Sequence, residues 1–290
     1  MDQKIAIIGG SRREQIICDH LKAKGFNIHS FATETDGETT SSSLTECLCD
    51  ADVLILPVRS NHKEMLIEGT STNCPIQINK EILGYLKNSA VIYCGAASEG
   101  LRNLACETDH RLIEIMEDDL VAIPNADLTA EGTLRHIMDY TSVSLNDTRI
   151  AVLGYGRVGR SCAKLFLKAG CDVTVFCRSE KDIRHGRENG LDMRYIFGAP
   201  SVLRKVNVLV NTIPALVVDE TMLSYLRKDC RIIDLASIPG GVDFEAASRM
   251  GLSAELLPGV PGKYAPITAG KILASYYEYN LRYLNGGDLF

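Results

Sequence analysis

"RIAVLGYGRVGR", residues 149–160, is the stretch on which the reading of this chain turns. An apolar, β-branched run meets a glycine turn, and a helical pattern follows it. The spacing Gly154-x-Gly156-x-x-Gly159 lets backbone approach a pyrophosphate at a helix N-terminus. Arg157 and Val158, inside the turn, belong to the same expected contact. Alone the pattern is weak. The strand before it, the helix after it, and a second strand, "DVTVFC" (172–177), at the distance a βαβ unit requires, give it weight.

That second strand ends "TVFCRSEKD" (174–182). A site for NAD would place an acid here to hydrogen-bond the adenosine ribose. Cys177, Arg178 and Ser179 stand there instead. An acid would repel a 2′-phosphate, whereas Arg178 pairs with one and Ser179 donates a hydrogen bond to it. Lys181 adds a further charge. The segment therefore reads as a pocket for NADP, with NAD as the alternative cofactor. The plainer reading is a solvated loop with an ordinary arginine.

Working outward, short apolar runs alternate with helical patterns along nearly the whole chain, which predicts βαβ units and parallel sheets. "KIAIIGGSRRE" (4–14) echoes "RIAVLGYGRVG" (149–159), but Ser11 replaces Gly156 and Glu14 replaces Gly159. The dinucleotide is thus expected on the second copy alone. The fold class that follows is α/β, with two Rossmann-like doubly wound parallel-sheet domains joined by connecting helices around an interdomain cleft. The expected domains are 1–127 with a returning helix at 266–290, a connecting helix at 128–147 opened by Thr129 as N-cap, and a dinucleotide domain at 148–265. In the tail helix Ile272, Leu273, Tyr276, Tyr279 and Tyr283 recur at helical spacing, as a core or interface stripe. Clefts between domains are the usual place for ligands.

The 290 residues suggest about two domains. Net charge is −6 with no basic block, which argues against a nucleic-acid partner. The ten cysteines are scattered, with no CxxC and no zinc-ligand spacing, so no metal site is expected. Most lie in apolar runs, as in proteins of a reducing cytoplasm. No secretory signal and no membrane-spanning run is readable.

Two further strand ends face the same edge of the dinucleotide domain. After "VNVLVN" the chain reads "NTIPALV" (211–217), which puts Asn211, Thr212, Ile213 and Pro214 toward the nicotinamide end of a cofactor. "DLASIPGGVDF" (234–244) brings Ala236 to the same edge, with Gly240 and Gly241 allowing close backbone approach.

Taken together, "TAEG" (129–132), "GYGRVGR", "NTIPA", "DLASIPGGVDF" and "LPGVPGKYAPITAGKIL" (257–273) resemble the A subunits of the dipicolinate synthases of endospore-forming bacteria. The resemblance implies NADP-linked oxidation of a dihydro- or hydroxytetrahydro-dipicolinate. It also implies a flavodoxin-like flavoprotein as partner (the B subunit of the synthase), a homo-oligomer, and the mother-cell cytoplasm of a sporulating bacterium. A substrate with two carboxylates calls for cations. The first domain offers Arg12, Arg13, Arg59 and Arg102, and the second offers Lys263 in its glycine–proline loop; Arg59 and Lys263 are the expected substrate contacts. Glu131, read as opening the connecting helix, is a candidate to face the cleft, or else a first-turn acid on the helix dipole. His62, after a strand end, is the one histidine placed for acid–base work. No histidine follows His185, which disfavours a D-2-hydroxyacid dehydrogenase. The remaining alternatives are an NADP-dependent amino or hydroxy acid dehydrogenase of the alanine dehydrogenase type, and a non-catalytic nucleotide-binding protein supporting a flavoprotein.

Overall fold

The computed structural model of the chain describes residues 3–33, 41–58, 65–69, 75–196 and 200–283. They form two compact units, Met1–Asn125 with Ala265–Phe290, and Ala126–Tyr264.

The first unit contains β1 (Lys4–Ile8), α1 (Arg12–Ala23), β2 (Asn27–Phe31), α2 (Leu44–Leu48), β3 (Val53–Ile55), β4 (Leu66–Ile67), β5 (Ile76–Gln77), α3 (Lys80–Leu83), β6 (Val91–Cys94), α4 (Glu99–Glu107) and β7 (Arg111–Glu114). Its main sheet is parallel, in the order β2-β1-β3-β6-β7, and β4 and β5 form a separate antiparallel pair. Strand side chains alternate between two cores. Ala6, Ile8, Leu54 and Ile92 enter one; Ile5, Ile7, Val53, Ile55 and Tyr93 enter the other. Burial on both faces is why these strands read as continuous apolar runs.

α5 (Asp119–Tyr140) leads into the second unit. There follow β8 (Arg149–Leu153), α6 (Arg157–Lys168), β9 (Asp172–Cys177), α7 (Glu180–Glu188), β10 (Asp192–Tyr195), α8 (Pro200–Leu203), β11 (Val208–Asn211), α9 (Glu220–Ser224), β12 (Arg231–Asp234), α10 (Phe244–Arg249), β13 (Ser253–Leu256) and α11 (Val260–Tyr264). The sheet is wholly parallel, in the order β10-β9-β8-β11-β12-β13. This is the Rossmann order, whose reversal between β8 and β11 marks the ligand crevice. Leu153, Asn211, Asp234 and Leu256 stand in one row across four strands, so the loops after them leave at one level. α12 (Pro266–Tyr283) belongs to the first unit, where it packs on α1.

Several expectations need correction. α5 begins at Asp119, well before Thr129, and runs through Pro124. Thr129 is therefore not an N-cap; it is buried inside the helix, where its carbonyl accepts the Thr133 hydroxyl at 2.7 Å. A proline inside a helix removes one hydrogen bond at a cost of about 3 kcal/mol. Burial of Val121, Ala122, Ala126, Leu128 and Ala130 along the same helix offsets it. "PGVPGKYAP" is not an irregular loop: Val260–Tyr264 is the short helix α11. Gly132 of "TAEG" explains the match between these two segments. A Cβ there would lie 2.3 Å from Val260 Cγ1 and 3.1 Å from the Tyr264 ring, so only glycine lets α5 and α11 meet. In α12 the buried side is Leu273, Tyr276, Tyr277 and Leu281, while Tyr279 and Tyr283 face solvent.

No helix among the described residues is long and apolar enough to cross a membrane. Thiol burial makes a testable pattern. Burial pushes the thiols of Cys47, Cys94 and Cys230 up, to about 11, 12 and 12, so they are protonated at neutral pH. Cys49 and Cys106 are exposed. Iodoacetamide at pH 7.5, read by peptide mass spectrometry, is expected to modify Cys49 and Cys106 in the native protein. The three buried thiols are expected to react only after denaturation.

Candidate cofactor site

The turn after β8 is shaped by what cannot be there. Gly154 has φ +98, and a Cβ on it would sit 2.4 Å from Thr212 Oγ1. A Cβ on Gly159 would lie 2.3 Å from the Gly154 carbonyl oxygen, so α6 presses directly onto the turn. Gly156 is different: a Cβ there meets nothing within 4 Å. Its missing side chain leaves room outside the protein, where a ligand's phosphates would lie against backbone. Gly156 is also the N-cap of α6, with no side chain capping it and no acid in the first turn. The first N–H groups of this helix thus point toward open space with the positive end of the helix dipole behind them. Arg157 is exposed beside them, and Val158 is half-buried against the core.

The matching turn in the first unit is closed from within. Glu14 stands where α6 has Gly159, and it is 1% exposed. Its Oε2 accepts the Ser11 backbone N–H at 2.6 Å and the Ser11 hydroxyl at 3.0 Å. The strand β4 and the residue after it cover the rest: a Cβ on Gly9 would lie 2.3 Å from Ile67 Cγ2, and the Gly10 N–H donates to the Glu68 carbonyl at 2.7 Å. A carboxylate of the chain itself occupies the place a phosphate would take. The signature of this cap, Ser11-x-x-Glu14, is visible in the sequence.

Beside the open turn, the Gly154 N–H donates to the Phe176 carbonyl at 2.8 Å, next to Cys177. Cys177 is buried, and burial raises its thiol above the usual range, so this strand end carries no negative charge at neutral pH. Ser179 caps α7, accepting the Asp182 N–H at 3.2 Å and keeping its own proton to donate. Asp182 is paired: its Oδ1 lies 2.8 Å from an Arg160 terminal nitrogen. Arg160 Nε in turn donates to the Tyr155 carbonyl at 2.9 Å, and its guanidinium lies 5.0 Å from the Tyr155 ring centre. Arg178 and Lys181 are exposed at the same corner.

The loops after β11 and β12 are fastened by a buried pair of polar residues. Asn211 Nδ2 donates to Asp234 Oδ1 at 2.9 Å and to the Ile213 carbonyl at 3.0 Å, and Asn211 Oδ1 accepts the Ile213 N–H at 3.1 Å. Asp234 further accepts the N–H groups of Ala236 (3.0 Å) and Gly241 (2.7 Å). Asn211 is fully buried with its amide engaged, so it supports the loop from below. Thr212 is bound the same way: its hydroxyl donates to the Leu153 carbonyl at 2.8 Å. Among these positions Pro214 is exposed and Ile213 half-buried. Ala236 is buried at the start of its loop.

Of the other expected site residues, Arg59 and His62 lie outside the described residues. Lys263 is exposed in α11. Glu131 is exposed in the middle of α5, so it is neither in a first turn nor on a helix dipole. Sequence reasoning takes Glu14 only as a lost glycine and misses Arg160 and Asp234. The last two look like an ordinary helix arginine and strand-end acid until the fold shows what they hold.

A six-stranded Rossmann sheet with an open glycine turn at its reversal point defines a nicotinamide-dinucleotide domain of the dehydrogenase class, in a chain that also carries a second parallel α/β unit. Comparison with known proteins agrees. Residues 124–236 match the NAD-binding domain of D-isomer specific 2-hydroxyacid dehydrogenases, and residues 4–116 match the N-terminal domain of the A subunit of dipicolinate synthase. The chain is 31% identical to the dipicolinate synthase A subunit of Bacillus subtilis (strain 168), over 94% of this chain and 93% of that one. Crystal structures of the corresponding proteins from Bacillus halodurans (32% identity, TM-score 0.88, 99% of both chains) and Bacillus subtilis (30%, TM-score 0.90, 99% of this chain and 98% of that one) share its fold. The chain belongs to the family of dipicolinate synthase A subunits.

The two glycines of the open turn separate folding from binding. Gly156→Val is expected to abolish dinucleotide binding by calorimetry and to keep the melting temperature within about 2 °C, a shift under ~1 kcal/mol for a chain this size. Gly159→Ala must displace a carbonyl and is expected to cost about 1–3 kcal/mol in denaturant unfolding as well as binding. Ser11→Val is expected to leave dinucleotide affinity unchanged.

Proposed function

We propose that this protein oxidises a dihydro-dipicolinate, or a hydroxytetrahydro-dipicolinate that also loses water, to pyridine-2,6-dicarboxylate with NADP as oxidant. Membership of the family and the nicotinamide-type domain support the reaction class. The observation that carries the cofactor choice is the corner at Cys177–Ser179, where a buried neutral thiol replaces the ribose acid and Arg178 stands exposed. When bound, NADP supplies the hydride acceptor. The chain's own residues do the rest. The first turn of α6 receives the pyrophosphate, with Arg157 and Val158 beside it. Arg178 and Ser179 receive the 2′-phosphate, with Lys181 nearby. Thr212, Ile213, Pro214 and Ala236 line the nicotinamide end, on loops that Asn211 and Asp234 hold in place. Arg59 and Lys263 bind the substrate carboxylates, and His62 and Glu131 are the candidates for the ring proton. A dihydropyridine ring that gives up a proton and a hydride becomes aromatic, so the protein's main task is to hold ring and nicotinamide in contact. A flavoprotein partner, self-association and the mother-cell cytoplasm of a sporulating bacterium belong to the same proposal.

The reading is tested with the full chain, by itself and with its flavoprotein partner. NADPH formation with dihydrodipicolinate, and none with hydroxy or amino acid substrates, is the expected result. Turnover of amino acids, or NADP binding with no reduction under any of these conditions, would sink it.

Arg178→Ala is expected to weaken NADP by roughly 1.5–3 kcal/mol, about ten- to a hundredfold, because a charged partner is lost. NAD affinity should stay as in wild type. Equal NADP affinity in both proteins would remove Arg178 from the site.

Lys263→Ala and Arg59→Ala, assayed at saturating NADP, are expected to raise the KM for the dicarboxylate while leaving NADP affinity alone. A fall in kcat as well would mean the carboxylates are held more tightly in the transition state. Wild-type kinetics in both variants would place the carboxylates elsewhere.

A further inference from the structure

Arg13 is the second residue of α1 and is only 4% exposed. Its Nε is buried and has no hydrogen-bond partner among the described residues. A guanidinium stays charged throughout the accessible pH range, and burying one without an acceptor costs stability. The packing of α1 does not call for it: one and two turns along the same face, Ile17 and Leu21 fill the core with apolar groups.

Its position is that of a ligand group. Helix side chains tilt toward the N-terminus, so Arg13 is directed to the end of α1 that follows β1. In the sheet order β2-β1-β3-β6-β7 the reversal falls between β1 and β3, and ligands of open parallel sheets collect outside the carboxyl ends of such a pair. A second helix starts at the same end. α12 runs parallel to α1: a Cβ on Gly270 would lie 2.8 Å from Ile16 Cβ, and further along both helices His20 Nε2 lies 2.7 Å from Glu278 Oε2. The N-termini of a 12-residue and an 18-residue helix therefore lie on Arg13's side of the unit, each with its positive dipole end.

Glu14 decides what kind of anion fits. Its carboxylate already takes the Ser11 N–H and hydroxyl, and β4 covers Gly9 and Gly10. The helix-terminal seat of a phosphate is filled. A guanidinium edge still accepts a flat carboxylate through two parallel N–H···O bonds. We infer that Arg13 holds one carboxylate of the small dicarboxylate substrate, at the N-terminal end of α1 in the first unit. The inference rests on the dicarboxylate reading above.

The test uses the full chain saturated with NADPH and titrated calorimetrically with pyridine-2,6-dicarboxylate. Arg13→Met and Arg13→Lys are the variants, and NADPH affinity and unliganded melting temperature are measured for each. The expected result is dicarboxylate binding about tenfold weaker or more in Arg13→Met, an intermediate loss in Arg13→Lys, which keeps the charge but not the fork, and unchanged NADPH affinity. The melting temperature of unliganded Arg13→Met should equal or exceed that of wild type, since an orphaned charge has been removed; a structural role would lower it in both variants. Dicarboxylate affinity equal to wild type in both variants overturns the subsite and leaves the proposed reaction standing. A wild-type protein that binds NADPH but no dicarboxylate overturns the reaction and the subsite together. Inorganic phosphate that competes with the dicarboxylate in wild type but not in Arg13→Met overturns the assignment to a carboxylate.

Discussion

A helix that starts just beyond a parallel strand brings unpaired N–H groups and a partial positive charge to the edge of its sheet, and something must answer both. This chain answers twice, in opposite ways. At α1 the carboxylate of Glu14, buried and bonded to Ser11, closes the end from inside. At α6 the equivalent position is Gly159, packed against the Gly154 carbonyl, and the cap is Gly156, which faces open space. One carboxyethyl arm, present or absent, therefore separates a helix end closed by the chain itself from one left open. The similarity of the two strand–turn–helix segments makes the difference easy to isolate, because β1 and β8 have the same length and, after their first residue, are buried on both faces.

The open turn also depends on its neighbours being fixed. Thr212 binds the Leu153 carbonyl by both its N–H (2.9 Å) and its hydroxyl (2.8 Å), so the loop after β11 is tied to the residue before Gly154. Asn211 and Asp234 hold that loop and the next. A buried carboxylate is costly unless its oxygens are hydrogen-bonded, and Asp234 accepts from one side-chain amide and two backbone N–H groups. Gly240, at φ +92 and with its missing Cβ 2.5 Å from Asp234 Oδ2, lets the chain fold back over the carboxylate. Polar groups in the core here serve precision: they hold two loops at one level.

Much of this is legible in the sequence because it depends on local pattern. The strands around Gly154 and Gly9 announce themselves as apolar runs ended by glycine, and the absence of an acid at Cys177 is visible in one residue. What the sequence hides depends on contacts distant along the chain. Asp192–Tyr195 and Arg111–Glu114 are edge strands with charged, half-exposed residues, so they lack the apolar run of a central strand. Thr129 looks like a cap because Pro124 and Asn125 are breakers in isolation; burial of the surrounding apolar residues carries α5 through them. Asn211 reads as lining a ligand because polar residues at strand ends usually do, and its partner Asp234 lies 23 positions away. The tail tyrosines have the right period, but the buried face is centred on Tyr277, so Tyr279 and Tyr283 fall outside it.

The charge balance at the start of α7 shows why a strand-end motif is not enough to judge a phosphate pocket. Glu180 and Asp182 in the first turn suit the helix dipole and, taken alone, would repel a 2′-phosphate. Arg160, reaching over from α6, takes Asp182 into an ion pair and is itself held by the Tyr155 carbonyl and ring. It stands in the first turn of α6, so the helix that follows the glycine turn also neutralises the acid beside Arg178. With Asp182 engaged, the corner carries two exposed cations, Arg178 and Lys181, against the remaining first-turn acid Glu180, so positive charge is in surplus. That surplus depends on Arg160 as much as on Arg178, because without the ion pair Asp182 would cancel it.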